Sequence, residues 1–311
     1  MALSSEIKQK IDVLKGEYDS LKKGKESLLD IVFEAELPES VSNSNAIEGS
    51  TLSIAETEKI LLELEVSREV SVREVFEAKN LARVFEYIKS KIDTKNVDKE
   101  WILFLHKMLM TNIRDDIAGR FRKQDEYVRV SDHVAPAPEH IEAMLGALIL
   151  EYSSIHNLYF LEKISRFHLE FEHVHPFNDG NGRMGRVLIN YQLMQLGFPP
   201  IIIRDKEKDA YYASFKEYRD SHKKKSSTMN KVISLALIES FHKRITYLKG
   251  QNIIRLSEYS KIKREKSSVL LNKAKRQTIP AFREKGVWKI GIEHNKTWYE
   301  RIRKTKACCL P

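Results

Sequence analysis

Twelve consecutive residues of this 311-residue chain combine a base, a carboxylate, three glycines and two arginines: His175-Pro-Phe-Asn-Asp179-Gly-Asn-Gly-Arg183-Met-Gly-Arg186. An imidazole such as His175 can take a proton near neutral pH. A short carboxylate such as Asp179 can hold a divalent cation that also touches phosphate oxygens. Gly180 and Gly182 let the backbone come close to a ligand, with Asn181 between them. Arg183 and Arg186 are three apart, so on a helix they share a face and reach the same anion. The chemistry implied is an anion, with phosphate as the usual occupant, held beside a metal and a base.

The flanking sequence says what must position these groups. Between Leu161 and Val174, apolar residues recur at Ile164, Phe167, Phe171 and Val174, which is a helical period. Pro176 cannot continue that helix. From Arg186 to Leu196 the pattern is helical again, and Gly197, Pro199 and Pro200 end it. The stretch therefore reads as helix, loop, helix. The start of the second helix supplies free N–H groups for the anion.

These residues match in full the HPFx(D/E)GNGRxxR signature of the Fic family, which the chain resembles. The resemblance implies an all-α fold: a Fic-type helical core with a small β-hairpin flap. It implies transfer of AMP from Mg·ATP to a Ser, Thr or Tyr hydroxyl of a protein. In that scheme His175 takes the hydroxyl proton and Asp179 holds Mg²⁺. Gly180, Asn181 and Gly182 cradle phosphates, Arg183 binds the β-phosphate, Arg186 binds the γ-phosphate, and Phe177 anchors the loop. An intact Gly182 favours nucleotidyl transfer over kinase chemistry.

A second motif lies upstream. Ser44 and Glu48 are four apart, hence on one helix face, and Gly49 follows. On spacing alone this reads as a capped helix end. The resemblance gives it another meaning, because the family carries an inhibitory (S/T)xxxE(G/N) motif that Ser44, Glu48 and Gly49 match. Its Glu pairs with the second arginine of the signature, here Arg186, and takes the place of the γ-phosphate. The same Glu also supports removal of AMP in some relatives, so that activity is a second expectation.

Elsewhere the chain reads as helices: an amphipathic one from Ile7 to about Phe33, with apolar positions at Ile11, Leu14, Tyr18 and Leu21, then helices over 54–90, 101–110, 139–156 and 230–248. An aromatic stripe of Tyr211, Tyr212, Phe215 and Tyr218 reads as core. The resemblance puts aromatic residues near here at the border of the adenine. Glu126-Tyr-Val-Arg-Val130 alternates and is β-prone. In the family the corresponding hairpin, here about residues 120–135, pins the target protein by strand addition. The chain itself and a second copy of it are among the candidate partners.

Composition divides the chain. Residues 241–311 carry 19 Lys and Arg against 5 Glu, a net +14, within an overall +9. The expected layout is an N-terminal segment with the inhibitory motif (1–69), a catalytic core (70–248), a basic module (249–304) and a tail (305–311). The module reads as two short helices and a hairpin around Gly286. It resembles excisionase-type winged helix-turn-helix domains. DNA contacts would fall to Lys273, Lys275, Arg276, Arg283 and Lys285. That makes a DNA-binding regulator with a secondary Fic core the alternative function, and on charge alone a protein-contact role stays open too. No apolar run approaches the roughly 20 residues that span a bilayer. The N-terminus has no apolar signal core, so the expected location is cytoplasmic. Adjacent Cys308 and Cys309 make a poor structural disulfide.

Overall fold

Helix α8 (Asn181–Gln195) is buried almost all round, with Met184, Val187, Leu188, Ile189, Tyr191 and Leu193 each at most 1% exposed. A helix covered on all sides lies at the centre of a bundle, and the other helices supply its walls. The computed structural model of the chain describes residues 3–93, 96–130 and 133–293. The tail 305–311, with Cys308 and Cys309, and residues 294–304 of the expected basic module lie outside the described residues.

By its internal contacts the chain divides into two units. One comprises the residues up to Val13 together with Phe33–Leu237, and the other Leu14–Val32 together with everything from Ile238. In order, the helices are α1 (Ser5–Lys22), α2 (Glu26–Ile47), α3 (Ile54–Leu61), α4 (Val72–Ser90), α5 (Lys99–Met110), α6 (Ile141–Ser154), α7 (Phe160–Val174), α8, α9 (Lys208–Asp220) and α10 (Ser227–Leu248), then the shorter α11 (Leu256–Lys263) and α12 (Ser267–Lys275). The fold is predominantly helical, as expected.

In the first unit the core joins Leu81, Val84 and Phe85 of α4, Ile102, Leu105 and Leu109 of α5, and Phe167 and Phe171 of α7 with Val187, Leu188 and Tyr191 of α8. Side-chain caps set the starts of three helices. Ser53 and Glu56 form a capping box at α3, Ser71 accepts from the Glu74 N–H at α4, and Asp98 accepts from the Trp101 N–H at α5. Helices α7 and α8 approach closely at Gly185. A Cβ there would lie 2.5 Å from His168 Cε1 and 2.8 Å from Glu172 Oε1, so the contact requires glycine.

The N-terminal helices differ from expectation. The single helix expected from Ile7 to about Phe33 is two, broken at Gly24, whose φ is +72°. Helix α2 then runs to Ile47, into the 44–49 segment, with Pro38 inside it. Proline removes one N–H bond, and here it does not end the helix.

The flap is present as an antiparallel pair, β1 (Arg129–Val130) with β2 (His133–Val134), in the register Arg129↔Val134 and Val130↔His133. Its turn residues, Ser131 and Asp132, lie outside the described residues. In the second unit, β3 (Asn252–Arg255), β4 (Ala281–Glu284) and β5 (Val287–Ile292) form a sheet in the order β3-β5-β4. The β4–β5 turn is Lys285-Gly286, both at positive φ, the primed geometry of two-residue hairpins. A small core of Ile254, Leu256, Leu270, Ala274, Ala281 and Ile290 joins this sheet to α11 and α12.

Candidate active site

The loop from His175 to Gly180 is held from below. Phe177 is fully buried and stacks face to face on His106 of α5, with centroids 3.6 Å apart. The Gly119 N–H donates to His106 Nδ1 at 3.1 Å. Nε2 therefore carries the proton and donates it to the Asp179 carbonyl at 3.0 Å. Burial pushes this imidazole down to about 4, so it stays neutral. Asn181 ties the loop to the start of α8. Its Oδ1 accepts from the Phe177 N–H at 2.9 Å, and its Nδ2 donates to the Phe177 carbonyl at 2.8 Å. The side chain of Asn181 thus closes the loop, and its backbone is left for a ligand.

Helix α8 starts at Gly180 (φ +82°) with no side-chain cap, so its first N–H groups have no capping side chain. Two arginines flank this end. Arg183 is buried, with Nη1 3.1 Å from Glu77 and Nη2 3.0 Å from Asp179 Oδ1. The other Asp179 oxygen, Oδ2, accepts from Arg73 of α4 at 2.7 Å. Burial alone would raise the Asp179 carboxyl, but Arg183, Arg73 and the Gly180 N–H outweigh it and hold the group below its ordinary value.

Arg186 is 3% exposed and fully engaged. It donates from Nε to Ser44 Oγ (2.9 Å), from Nη2 to the Ser44 carbonyl (2.8 Å) and to Glu48 Oε1 (2.8 Å), and from Nη1 to the Tyr211 hydroxyl (3.3 Å). Ser44 and Glu48 reach it because they are four residues apart, Ser44 on the last turn of α2 and Glu48 in the turn just past it. Gly49 follows at φ +97°, and its N–H bonds back to Ala46. Helix α2 is itself docked. Glu39 forms a buried pair with Arg204, Asn43 Oδ1 accepts from the Asp205 N–H, and the Tyr212 hydroxyl donates to the Ile47 carbonyl. A Cβ on Gly182 would overlap Glu48 Oε1. The Glu48 carboxylate therefore lies against the second residue of α8, where an anion would bind.

His175 stands just past α7 in the left-handed region (φ +48°), its N–H bonded to the Phe171 carbonyl at 3.0 Å. It lines a 740 Å³ cavity with Glu48, Gly182, Tyr211, Tyr212, Phe215 and, from the flap, Val130. Glu172 lines the same cavity, with Oε2 3.8 Å from His175 Nδ1. Burial, and then the neighbouring Glu48, push the Glu172 carboxyl up to about 8, with Arg186 opposing them. His168 is neutral as well, pushed down to about 3 by burial and by Arg186, and its Nε2 meets the Tyr211 hydroxyl at 2.8 Å.

The Glu172 shift has a thermodynamic consequence. Its folded value lies above its ordinary one, so its contribution to stability is complete at low pH and is lost as pH rises toward about 8. Glu172→Gln should remove that slope. Its melting temperature relative to the parent should climb between about pH 5 and about pH 8. Parallel curves would mean that Glu172 is ionised in the fold.

The sequence-expected residues Ser44, Glu48, His175, Phe177, Asp179, Gly180, Asn181, Gly182, Arg183 and Arg186 thus meet around one end of α8. Residues not singled out beforehand complete the site: Arg73 and Glu77 of α4, His106, Arg122 and Glu172; Tyr211, read from the sequence as part of a core stripe, bonds Arg186. His106 and Glu172 could have been noticed as polar residues on or beside the apolar stripes of their helices. Arg73 and Glu77 carried no signal beyond an ordinary i,i+4 charge pair. In the basic module the expected cations are differently placed. Lys273 pairs with Glu265, and Arg283 clamps Glu239 while lying over the Trp288 ring. Lys275, Arg276 and Lys285 are exposed.

Residues 96–193 match the model of the Fic/DOC family. The chain carries a Fic domain. A relative from Nematostella vectensis, named protein adenylyltransferase Fic, is 32% identical over 216 residues, which is 68% of this chain and 49% of that protein. The chain thus spans about half the length of this curated relative. Among solved structures, a Fic domain containing signaling protein from Bacteroides thetaiotaomicron aligns with a TM-score of 0.68 and 25% identity, covering 78% of this chain and 98% of that one. A Fic family protein from Desulfovibrio desulfuricans shares the fold at 17% identity, with a TM-score of 0.64 over 95% of this chain and 98% of that one. The loop and helix pair that organise the Fic domain here, residues 175–195, fall within the matched segment except for the last two residues of α8.

Proposed function

We infer that this chain is a protein adenylyltransferase, restrained by its own helix α2. The observation that carries the reading is Arg186. It lies near the open end of α8 and is held by Ser44 and Glu48, and Glu48 in turn lines the cavity that holds His175. A carboxylate on that guanidinium stands where a terminal phosphate would bind.

The residues divide the work. The uncapped N–H groups of α8, Arg183 and Arg186 would take the phosphates. Among the described residues no cluster of three or more His, Cys, Asp or Glu could hold a metal alone. Asp179 is instead a lone carboxylate beside the phosphate cradle. That donor set suits Mg²⁺, which is commonly held by one or two carboxylates together with substrate phosphates. The fit is reasonable because Oδ2 faces only the half-exposed Arg73, and that contact can be exchanged. Bound there, the ion would neutralise charge developing on the leaving pyrophosphate. His175 would take the proton of a target hydroxyl as its oxygen bonds to the α-phosphorus. The bond from that phosphorus to the pyrophosphate breaks in the same step. The flap, β1–β2, borders the cavity through Val130 and offers an edge for the target segment. Tyr212 and Phe215 on α9 offer apolar surface for the adenine.

The test is incubation of the Glu48→Gly protein with ATP labelled at the α-phosphate and a cell lysate. Protein-bound AMP on Ser, Thr or Tyr is expected by mass spectrometry. Label from the γ-phosphate appearing on protein, with none from the α-phosphate, would mean phosphoryl transfer and would overturn the reading.

A further inference from the structure

Arg122 lies between α5 and the flap and is 4% exposed. No carboxylate among the described residues forms an ion pair with it. Its guanidinium bonds four main-chain carbonyls instead. Nε donates to His175 at 2.8 Å, Nη1 to Glu126 at 2.9 Å, and Nη2 to Pro136 at 2.8 Å and to Val174 at 3.3 Å. Its own N–H donates to the Pro176 carbonyl at 3.0 Å. Burial is costly for a cation and lowers the pKa of this one, with the nearby Glu126 charge opposing it. The partial negative charge at the C-terminal end of α7, where Val174 and His175 sit, offsets part of that cost. Only a planar fork with several fixed donors can serve three chain segments at once.

The identity of those segments gives the contact a function. Glu126 and Pro136 bracket the β1–β2 hairpin, so one guanidinium closes the neck of the flap. The same guanidinium is fixed to the backbone of the residue that carries the base. We propose that Arg122 is a positioning residue: it sets the separation between the flap and His175, so that a hydroxyl on a docked segment arrives within reach of the imidazole. This rests on the adenylyl-transfer reading. Reacting groups must come within about 3–3.5 Å, and a displacement of about 1 Å can cost ~10²-fold in rate. A hairpin of two-residue strands has little pairing of its own to hold that distance.

Two variants test this in the Glu48→Gly background. Arg122→Lys keeps the charge, but one ammonium cannot span the four carbonyls; Arg122→Met removes the charge as well. Three readouts are taken: amide hydrogen exchange by segment, affinity for a non-hydrolysable ATP analogue, and self-labelling from α-labelled ATP against AMP released to water. The expected result for Arg122→Lys is faster exchange confined to residues 126–136, unchanged nucleotide affinity, and self-labelling reduced ~10–100-fold, with release to water much less affected. Unchanged exchange and labelling in both variants would overturn the proposal. So would exchange that rises equally in α7 and α8 with nucleotide affinity lost, since that is a general loss of structure. If the Glu48→Gly parent itself forms no AMP adduct and releases no AMP, the adenylyl reading fails. The exchange comparison then still decides whether Arg122 ties the flap to the loop.

Discussion

His175→Ala is expected to lower AMP transfer by ~10²–10⁴-fold, the usual cost of removing a general base, while nucleotide binding stays largely intact. The structure separates the two effects. The contacts that hold the phosphate cradle among the described residues run through other groups. Asn181 closes the loop onto Phe177, Phe177 sits on His106, and the His175 carbonyl is held by Arg122 through the backbone. Alanine leaves each of these contacts in place. It adds strain, because residue 175 has φ +48°. A side chain without local hydrogen-bonding capacity pays about 1 kcal/mol there. A modest drop in melting temperature should therefore accompany a collapse in rate. Titrating an ATP analogue by calorimetry and measuring AMP incorporation on the same preparation checks both. If incorporation is nearly normal, the base is another group, and Glu172 in the same cavity becomes the first to examine.

Much of the site was legible because its chemistry is contiguous. Residues 175–186 carry their own loop, helix start and charges, so composition and spacing were enough to infer an anion site. The restraint was not legible that way. Ser44 and Arg186 are 142 positions apart, and spacing alone gave a capped helix end. The family resemblance supplied the pairing, and the geometry contains it.

Residues that shape the site without touching a ligand stayed hidden for a common reason. His106 and Arg122 act largely on main-chain carbonyls and amides, and a backbone partner has no signature in the side-chain pattern; the sequence likewise placed Asn181 in the cradle without showing that its side chain closes the loop. The fold misses were local. Gly24 split one expected helix because a single left-handed residue outweighs an amphipathic period. Strand β3 lies in Gln251-Asn-Ile-Ile-Arg, too short and polar to announce itself, and it pairs only because β5 offers a free edge from Lys289 to Ile292.

Glu48→Gly is expected to raise AMP transfer strongly. A hydrogen bond between charged groups contributes about 1.5–3 kcal/mol, and losing a competitor of that strength shifts occupancy of Arg186 by ~10–100-fold. The guanidinium should not collapse when Glu48 goes. Its bonds to Ser44 Oγ, the Ser44 carbonyl and the Tyr211 hydroxyl remain, so it stays aimed at the end of α8. The same substitution clears the space over Gly182, where the Glu48 carboxylate now lies. Arg186→Ala also breaks the pair, yet it should not activate, because it removes the group that would hold the terminal phosphate. The double variant should therefore behave like Arg186→Ala, a strongly non-additive pair, as expected of two groups that share one contact. AMP incorporation by the four proteins against one target at saturating Mg·ATP reads the cycle directly. Equal rates for Glu48→Gly and the parent would mean that the α2 carboxylate is a helix-end partner of Arg186 and no restraint. Activation that persists in the double variant would mean that Glu48 acts by blocking the space over Gly182, with Arg186 only its anchor.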